Sequence, residues 1–382
     1  MNDYSNKVMY IITRSEWGGA QKHLLDLCEN GSRKFKIKVL VGERGELTDN
    51  LEALNIEYSI ISNLKNKISI KNDFRSTMEI IKEINSFSPD ILHLHSTKAG
   101  LLGRISAKIA KSNTRVIFTA HGWGFTKGTK ILNKLFSLSI ELLTNWMVNK
   151  TICVSKYDEL LAKKYARINP DKVTTIYNGV KINETLPLRN KNKDKLILTM
   201  VARVDKQKDF DTLVETVAVL KEQNKRLYNQ LLFQLVGRGP ELENINSKII
   251  IKDLGDAIKT LGFRKDAAKI VSDSDVFILI SNYEGLPISI IEAMSFGKPL
   301  IVSDVGGVSE LINDNGYLIK KEGFKKESIE IINAITELAN NEEKLHKYGF
   351  NSKEIFLDKF TINKCVEDTF NLYYKEIGEV KC

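Results

Sequence analysis

Along almost its whole length the chain alternates between short apolar, β-branched runs and longer runs in which apolar residues recur at helical spacing. That alternation predicts βα units and parallel sheets. In the first half, strands are expected at Lys7–Thr13, Ile37–Gly42, Ile56–Ile61, Ile91–His95, Arg115–Ala120, Thr151–Val154 and Val173–Tyr177. Helical runs such as Ala20–Glu29, Phe74–Phe87, Ala99–Ala110 and Ile131–Val148 lie between most of them. A polar stretch without apolar period, KINETLPLRNKNKDK, follows and reads as an interdomain linker. A second series then predicts strands at Leu196–Ala202, Leu231–Val236, Ile258–Gly262, Val276–Ile280 and Leu300–Ser303. From Glu327 onward the pattern is helical and amphipathic, with Gly349 and Asn351 allowing a break before a final helix, Val366–Ile377. The expected fold class is α/β, with two doubly wound domains facing each other across a cleft. The expected boundaries are 1–182 for the first domain, 183–195 for the linker and 196–360 for the second. A terminal helix, 361–382, is then free to cross back to the first domain.

Composition narrows this picture. With 382 residues the chain exceeds one ordinary core, so two domains are the natural division. No apolar run approaches the roughly 20 residues that span a bilayer, and the apolar run near the N-terminus is too short for a signal peptide. Cys28, Cys153, Cys365 and Cys382 are scattered without a CxxC pair, which fits reduced thiols in a cytoplasmic protein. The net charge of +9 is uneven: within 98–150 nine basic residues face one acid, Glu141. Such a basic face suits a phosphate-bearing substrate, an anionic membrane surface or nucleic acid, and equally a solubilising lysine-rich surface.

Candidate chemistry gathers at the carboxyl ends of the expected strands, where open parallel sheets bind ligands. The stretch EGLPISIIE, Glu284 to Glu292, follows an apolar strand and leads into a helix. Pro287 suits the first helical position, and a strand, tight turn and helix start form an anion site with free amides and a favourable dipole. Carboxylates beside such a site suggest a ligand with both phosphates and hydroxyls. Arg203 and Lys208, just past another strand, can set two cations on a diphosphate. Gly18–Gly19 before a helix lets backbone approach a ligand, although an ordinary tight turn uses the same pair. His121, ending a strand in FTAHGW, can hydrogen-bond a sugar hydroxyl. His93 and His95 share one strand face but lack a third ligand of evident spacing, so no metal is expected. Gly237-x-Gly239 after FQLV opens like a dinucleotide fingerprint, but Leu242 stands at the third glycine position. Asp273–Ser274–Asp275 precedes its strand and reads as helix-end chemistry.

Taken together, these motifs resemble glycosyltransferase family 4, retaining enzymes of the GT-B fold with two Rossmann-like domains. The resemblance runs through GGAQKHL, TAHG, YNGV, ARVDKQKD, VGRGP, LGFRKD, SDVFILISNYEGLPISIIEAMSFGKPLIVSD and VGGVSELI. Two positions depart from the pattern, Ala202 and Asp209, where the family often has glycine. The resemblance implies that Arg203 and Lys208 hold the donor diphosphate and Glu292 the ribose. It implies that Glu284 contacts the transferred sugar, with backbone of Gly285, Leu286, Pro287 and Ile288 near the phosphates. Gly18, Gly19 and Gly237 would line the donor site, His121 would face the sugar, and Phe263 and Arg264 would receive the base. A UDP-sugar is the expected donor, as co-substrate, with no cofactor.

The segment HSTKAGLLGR and the helix after it are similar to bacterial surface-polysaccharide transferases acting on polyprenyl-diphosphate-linked sugars. This implies a glycan or lipid-linked acceptor, with Lys98 and Arg104 as candidates for its phosphates. The basic, apolar Ile131–Val148 helix suits the inner face of the cell membrane, or packing within its own domain. The competing readings are a nucleotide-sugar epimerase of the same fold, a nicotinamide-dependent oxidoreductase and a non-catalytic basic binding protein. No nucleic-acid partner is expected.

Overall fold

The computed structural model describes residues 6–65, 67–110, 113–129, 131–182 and 195–378, so all but Lys195 of the expected linker lies outside the described residues. The described chain divides into two compact units. The first runs to Gly179 and takes in the segment from Ile362; the second is Val180–Thr361.

The first unit is built on strands β1 (Lys7–Ile12), β2 (Lys36–Val41), β3 (Glu57–Ile60), β4 (Ile91–His95), β5 (Arg115–Ala120), β6 (Lys150–Cys153) and β7 (Val173–Thr175). All are parallel, in the order β3-β2-β1-β4-β5-β6-β7, with Val8 of β1 opposite Ile37 on one side and Ile91 on the other. The near-continuous apolar strands have a simple cause: both faces of the sheet are covered. Along β1, Met9 and Ile11 enter one core while Val8, Tyr10 and Ile12 enter the other. The second of these cores is completed by Ile362, Cys365, Val366, Phe370 and Tyr373 from the last helix, Ile362–Ile377.

The second unit holds β8 (Leu196–Val201), β9 (Leu231–Val236), β10 (Ile258–Gly262), β11 (Val276–Leu279), β12 (Leu300–Ser303) and β13 (Gly316–Ile319), in the parallel order β10-β9-β8-β11-β12-β13. Strand β13 is not evident from the sequence, because four residues opening on glycine at a sheet edge carry little pattern. The helix expected to break near Gly349 instead runs unbroken from Glu342 to Lys359. Gly349 is there for close packing: a Cβ would lie 2.5 Å from the Gly297 carbonyl oxygen. The chain turns at Phe360–Thr361 and the last helix starts at Ile362, earlier than the apolar period suggests.

Strand order reverses between β1 and β4 in the first unit and between β8 and β11 in the second. At such a reversal the helices leave on opposite faces and open a crevice at the carboxyl edge of the sheet.

Candidate functional site

In the second unit Lys208 and Glu284, both singled out by the sequence, meet at the β8/β11 reversal. The loop after β8 folds back on the end of β11: the Asp209 N–H donates to the Ile280 carbonyl at 2.9 Å, and the Asn282 N–H to the Gln207 carbonyl at 2.8 Å. This brings Lys208 Nζ onto Glu284 Oε1 as an ion pair, both side chains largely buried. Gln207 Nε2 donates to Glu284 Oε2 at 3.3 Å and to the Tyr283 carbonyl at 2.9 Å. Both carboxylate oxygens of Glu284 are therefore engaged. Arg203 remains half-exposed while Asp205 accepts from its Nε at 2.6 Å; the same carboxylate accepts the Gln207 N–H at 3.0 Å. The result is one half-exposed guanidinium and one ion-paired ammonium carried on the same braced loop.

Glu284 also depends on the loop after β12. Gly306 adopts φ +60°, and a Cβ there would lie 2.0 Å from the Glu284 carbonyl oxygen. The adjacent Gly307 N–H donates to the Gly285 carbonyl at 2.9 Å. Pro287 stands one position before its expected place, as the N-cap of the helix Ile288–Ser295, in extended backbone at φ −70°, ψ 120°. No side chain caps this helix, although the Ile290 N–H reaches the Pro287 carbonyl at 3.2 Å. Glu292 follows four residues into the helix, half-buried.

Gly237 has φ +151° and a Cβ would fall 1.8 Å from the Ala202 carbonyl oxygen. Its requirement is the tight passage of the β9 loop past the β8 loop, which accounts for the incomplete dinucleotide fingerprint. Phe263 is exposed, with the Arg238 guanidinium 4.7 Å from its ring centre. Arg264 makes a two-pronged pair with Asp266, both contacts 2.7 Å. Asp275 accepts the Ile197 N–H at 2.8 Å, so Asp273–Ser274–Asp275 is sheet and helix-end chemistry.

In the first unit, Gly18 is the N-cap of the helix Gly19–Gly31, in extended backbone that any residue adopts. His121 follows β5, and its Nε2 is 2.9 Å from Nδ1 of His95 at the end of β4. His23, from the second turn of the Gly19–Gly31 helix, meets the His121 ring edge-on at 5.1 Å between centres. His93 lies against His95 at 4.3 Å. Four of the five histidines thus form one stack, which their spacing in sequence does not reveal. Burial and neighbouring imidazoles hold His93, His95 and His121 well below the usual imidazole range. Burial, with Lys22 nearby, lowers His23 to about 4. Among the described residues no group of three or more His, Cys, Asp or Glu side chains is arranged to hold a metal.

The two acceptor-side candidates need correction. Arg104 is 1% exposed; its Nη1 donates to Glu141 Oε2 at 2.8 Å and Thr144 Oγ1 at 2.7 Å, over the Phe118 ring. Lys98 is largely buried in a pair with Asp73. Both charges are matched within the unit, and Arg104 is sealed from a solvated phosphate. The reason is the helix Ile131–Thr144, which is inside out: Ser137, Glu141 and Thr144 face inward with Ile140. Burial pushes the Glu141 carboxyl up against the opposing pull of Arg104. Outward point Ile131, Leu132 (76% exposed), Leu135, Phe136 and Leu143 (71% exposed).

The architecture is that of the GT-B glycosyltransferases. It matches Anabaena Alr3699/HepE, solved in complex with UDP and glucose, with a TM-score of 0.80 over 96% of this chain and 99% of that one at 20% identity. Sucrose-phosphate synthase from Thermosynechococcus elongatus matches with a TM-score of 0.81 over 98% and 99% at 18% identity. The family models described as Glycosyltransferase Family 4 and Glycosyl transferases group 1 match residues 17–184 and 183–355. The chain belongs to glycosyltransferase family 4 and is a glycosyltransferase. Among its relatives is the Escherichia coli UDP-Gal:alpha-D-GlcNAc-diphosphoundecaprenol alpha-1,3-galactosyltransferase, 30% identical over 90% of this chain and 89% of that protein. The putative glycosyltransferase EpsD of Bacillus subtilis is 28% identical over 77% and 79%.

Proposed function

We propose that this chain is a retaining glycosyltransferase that moves a sugar from a UDP-sugar to a polyprenyl-diphosphate-linked or glycan acceptor, in bacterial surface-polysaccharide synthesis. The observation that carries the reading is the braced Arg203, Lys208 and Glu284 group at the β8/β11 reversal. Arg203 and Lys208 bind the diphosphate, helped by amides from Gly285 to Ile288, and Glu292 binds the ribose. Phe263 and Arg264 receive the base and Glu284 orients sugar hydroxyls; of the first unit taken by itself, Gly18, Gly19 and His121 are the candidates for contact with a sugar.

In the reaction the bond from the anomeric carbon to the diphosphate oxygen breaks as the acceptor hydroxyl oxygen bonds to that carbon. The hydroxyl proton passes to the leaving phosphate. Charge grows on the diphosphate, so cations and amides fixed beforehand provide the main stabilisation, about 3 kcal/mol for one donor. With Lys208 and Gln207 on its two oxygens, Glu284 is a poor nucleophile, which favours displacement on one face with retention over a glycosyl-enzyme. No metal or other cofactor enters this scheme.

The acceptor class rests on the activity named for the Escherichia coli relative and on the outward apolar face of Ile131–Thr144. Trp146 continues that face, with Lys108 Nζ 5.3 Å from its ring centre. Apolar residues beside lysines suit the headgroup boundary of an anionic membrane, at the cytoplasmic side where a lipid-linked acceptor is met. No helix among the described residues is long and apolar enough to cross a membrane. The test is product analysis with a panel of UDP-sugars and synthetic polyprenyl-diphosphate sugars. The expected product is an acceptor-dependent glycoside with the donor's anomeric configuration. Epimerised UDP-sugar formed without acceptor would point to an epimerase instead.

A further inference from the structure

The histidine stack in the first unit has an asymmetry at atomic level. His95 is fully buried and its Nδ1 is 2.9 Å from His121 Nε2, but its own Nε2 is sealed from solvent with no hydrogen-bond partner. His93 beside it is satisfied at both nitrogens, by the Tyr373 hydroxyl and by Thr119 Oγ1 at 2.6 Å. His121 is half-buried, and its Nδ1 has no partner among the described residues.

Only one proton can lie between His95 and His121. If His121 donated it, His95 would carry its hydrogen on Nε2 and bury an orphan N–H, the rarer and costlier defect. If His95 donates it, the sealed Nε2 is a bare lone pair, and His121 must carry its own hydrogen on Nδ1. The rings packed against the pair are those of His23, His93 and Tyr10, and the ionisable neighbours that act on it are His23 and His93. None is a carboxylate that would favour an imidazolium.

We propose that His95 is a positioning residue for His121: it donates its Nδ1–H to His121 Nε2, so that His121 stays neutral and offers an Nδ1–H donor to the ligand. This rests on the reading above, in which His121 faces the transferred sugar. A neutral donor suits a hydroxyl oxygen. It also places no fixed positive charge beside a reacting carbon that itself becomes positive.

Two-bond proton–nitrogen spectra of the full chain labelled with nitrogen-15 histidine test the proposal at pH 7. The expected pattern is His121 protonated at Nδ1. In His95→Phe it moves toward the Nε2–H form that free imidazole prefers. In His95→Asn the side-chain amide stands near the lost Nδ1–H and the wild-type pattern returns. Transfer should follow, with kcat about tenfold lower in the Phe variant, the worth of one hydrogen bond, donor KM unchanged and most of kcat restored in the Asn variant. Wild-type His121 protonated at Nε2, or identical spectra in both variants, overturns the proposal. If the Phe variant changes the tautomer while kcat stays put, the positioning stands and the assignment of His121 to the sugar falls. The wild-type spectrum decides the tautomer even where a variant folds poorly.

Discussion

Replacing Lys208 by Met separates the structural from the chemical role of its ion pair with Glu284. The substitution leaves a carboxylate that is 6% exposed with a single neutral donor, Gln207 Nε2 at 3.3 Å. Removing one partner of a fully buried pair costs about 3–5 kcal/mol. Lys208 is 14% exposed, so the lower end, about 3 kcal/mol, is expected. Adding Glu284→Gln removes the stranded charge and lets Gln207 donate to a neutral amide oxygen. The double variant should then return to within about 1 kcal/mol of wild type, as neutral replacements of buried pairs do. Catalysis should behave differently, because neither variant has an ammonium for the leaving diphosphate. Both should lose about 10²–10³-fold in kcat. The assays are urea unfolding, with m-values compared to confirm a like-for-like transition, and initial rates of sugar transfer. Recovery of activity together with stability in the double variant would refute the chemical role. So would a Lys208→Met enzyme that turns over at the wild-type rate.

Three further outcomes follow from the geometry. Arg104→Met should destabilise the chain by about 3–5 kcal/mol by stranding Glu141, and Arg104→Met with Glu141→Leu should recover most of it; acceptor KM in the folded double variant should equal wild type, and a rise would restore Arg104 to the acceptor site. Leu132→Asp with Leu143→Asp should abolish flotation with phosphatidylglycerol vesicles while shifting unfolding by no more than about 0.5 kcal/mol, since both side chains are exposed; unchanged flotation removes the membrane face. For pH, His23 is lowered from 6.5 to about 4, so the unfolded chain takes up its proton first as pH falls. Its contribution is fully present above about pH 6.5 and is lost on descending to about pH 4, a total near 3 kcal/mol. In His23→Gln the unfolding free energy should fall less steeply across that window, and an unchanged slope would show that His23 is not held neutral.

How much was legible in advance depended on the range of the interactions involved. EGLPISIIE, Arg203 and Lys208 could be located because parallel strands buried on both faces stand out as apolar runs, and ligand chemistry collects where those runs end. The incomplete glycine fingerprint and the Asp273–Ser274–Asp275 motif could likewise be read as local structure. Strand β13 and the unbroken helix through Gly349 could not, since a sheet edge and a close contact with Gly297 belong to distant packing.

The same distinction governs the site. Local pattern says that a lysine and a glutamate each follow a strand; the docking of the β8 loop onto the β11 loop makes them a pair. Arg104 looks like a free cation on its own helix, and only its meeting with Glu141, 37 residues on, buries it. The helix Ile131–Thr144 shows an apolar stripe in either case, and tertiary packing alone turned that stripe outward. Residue type and period fix what a segment can do, whereas the partners that neutralise or bury it come from elsewhere in the chain. In this chain every strand but β13, and the candidate donor-site residues, came from sequence; the histidine stack, the matched charges and the exposed helix face came from the fold.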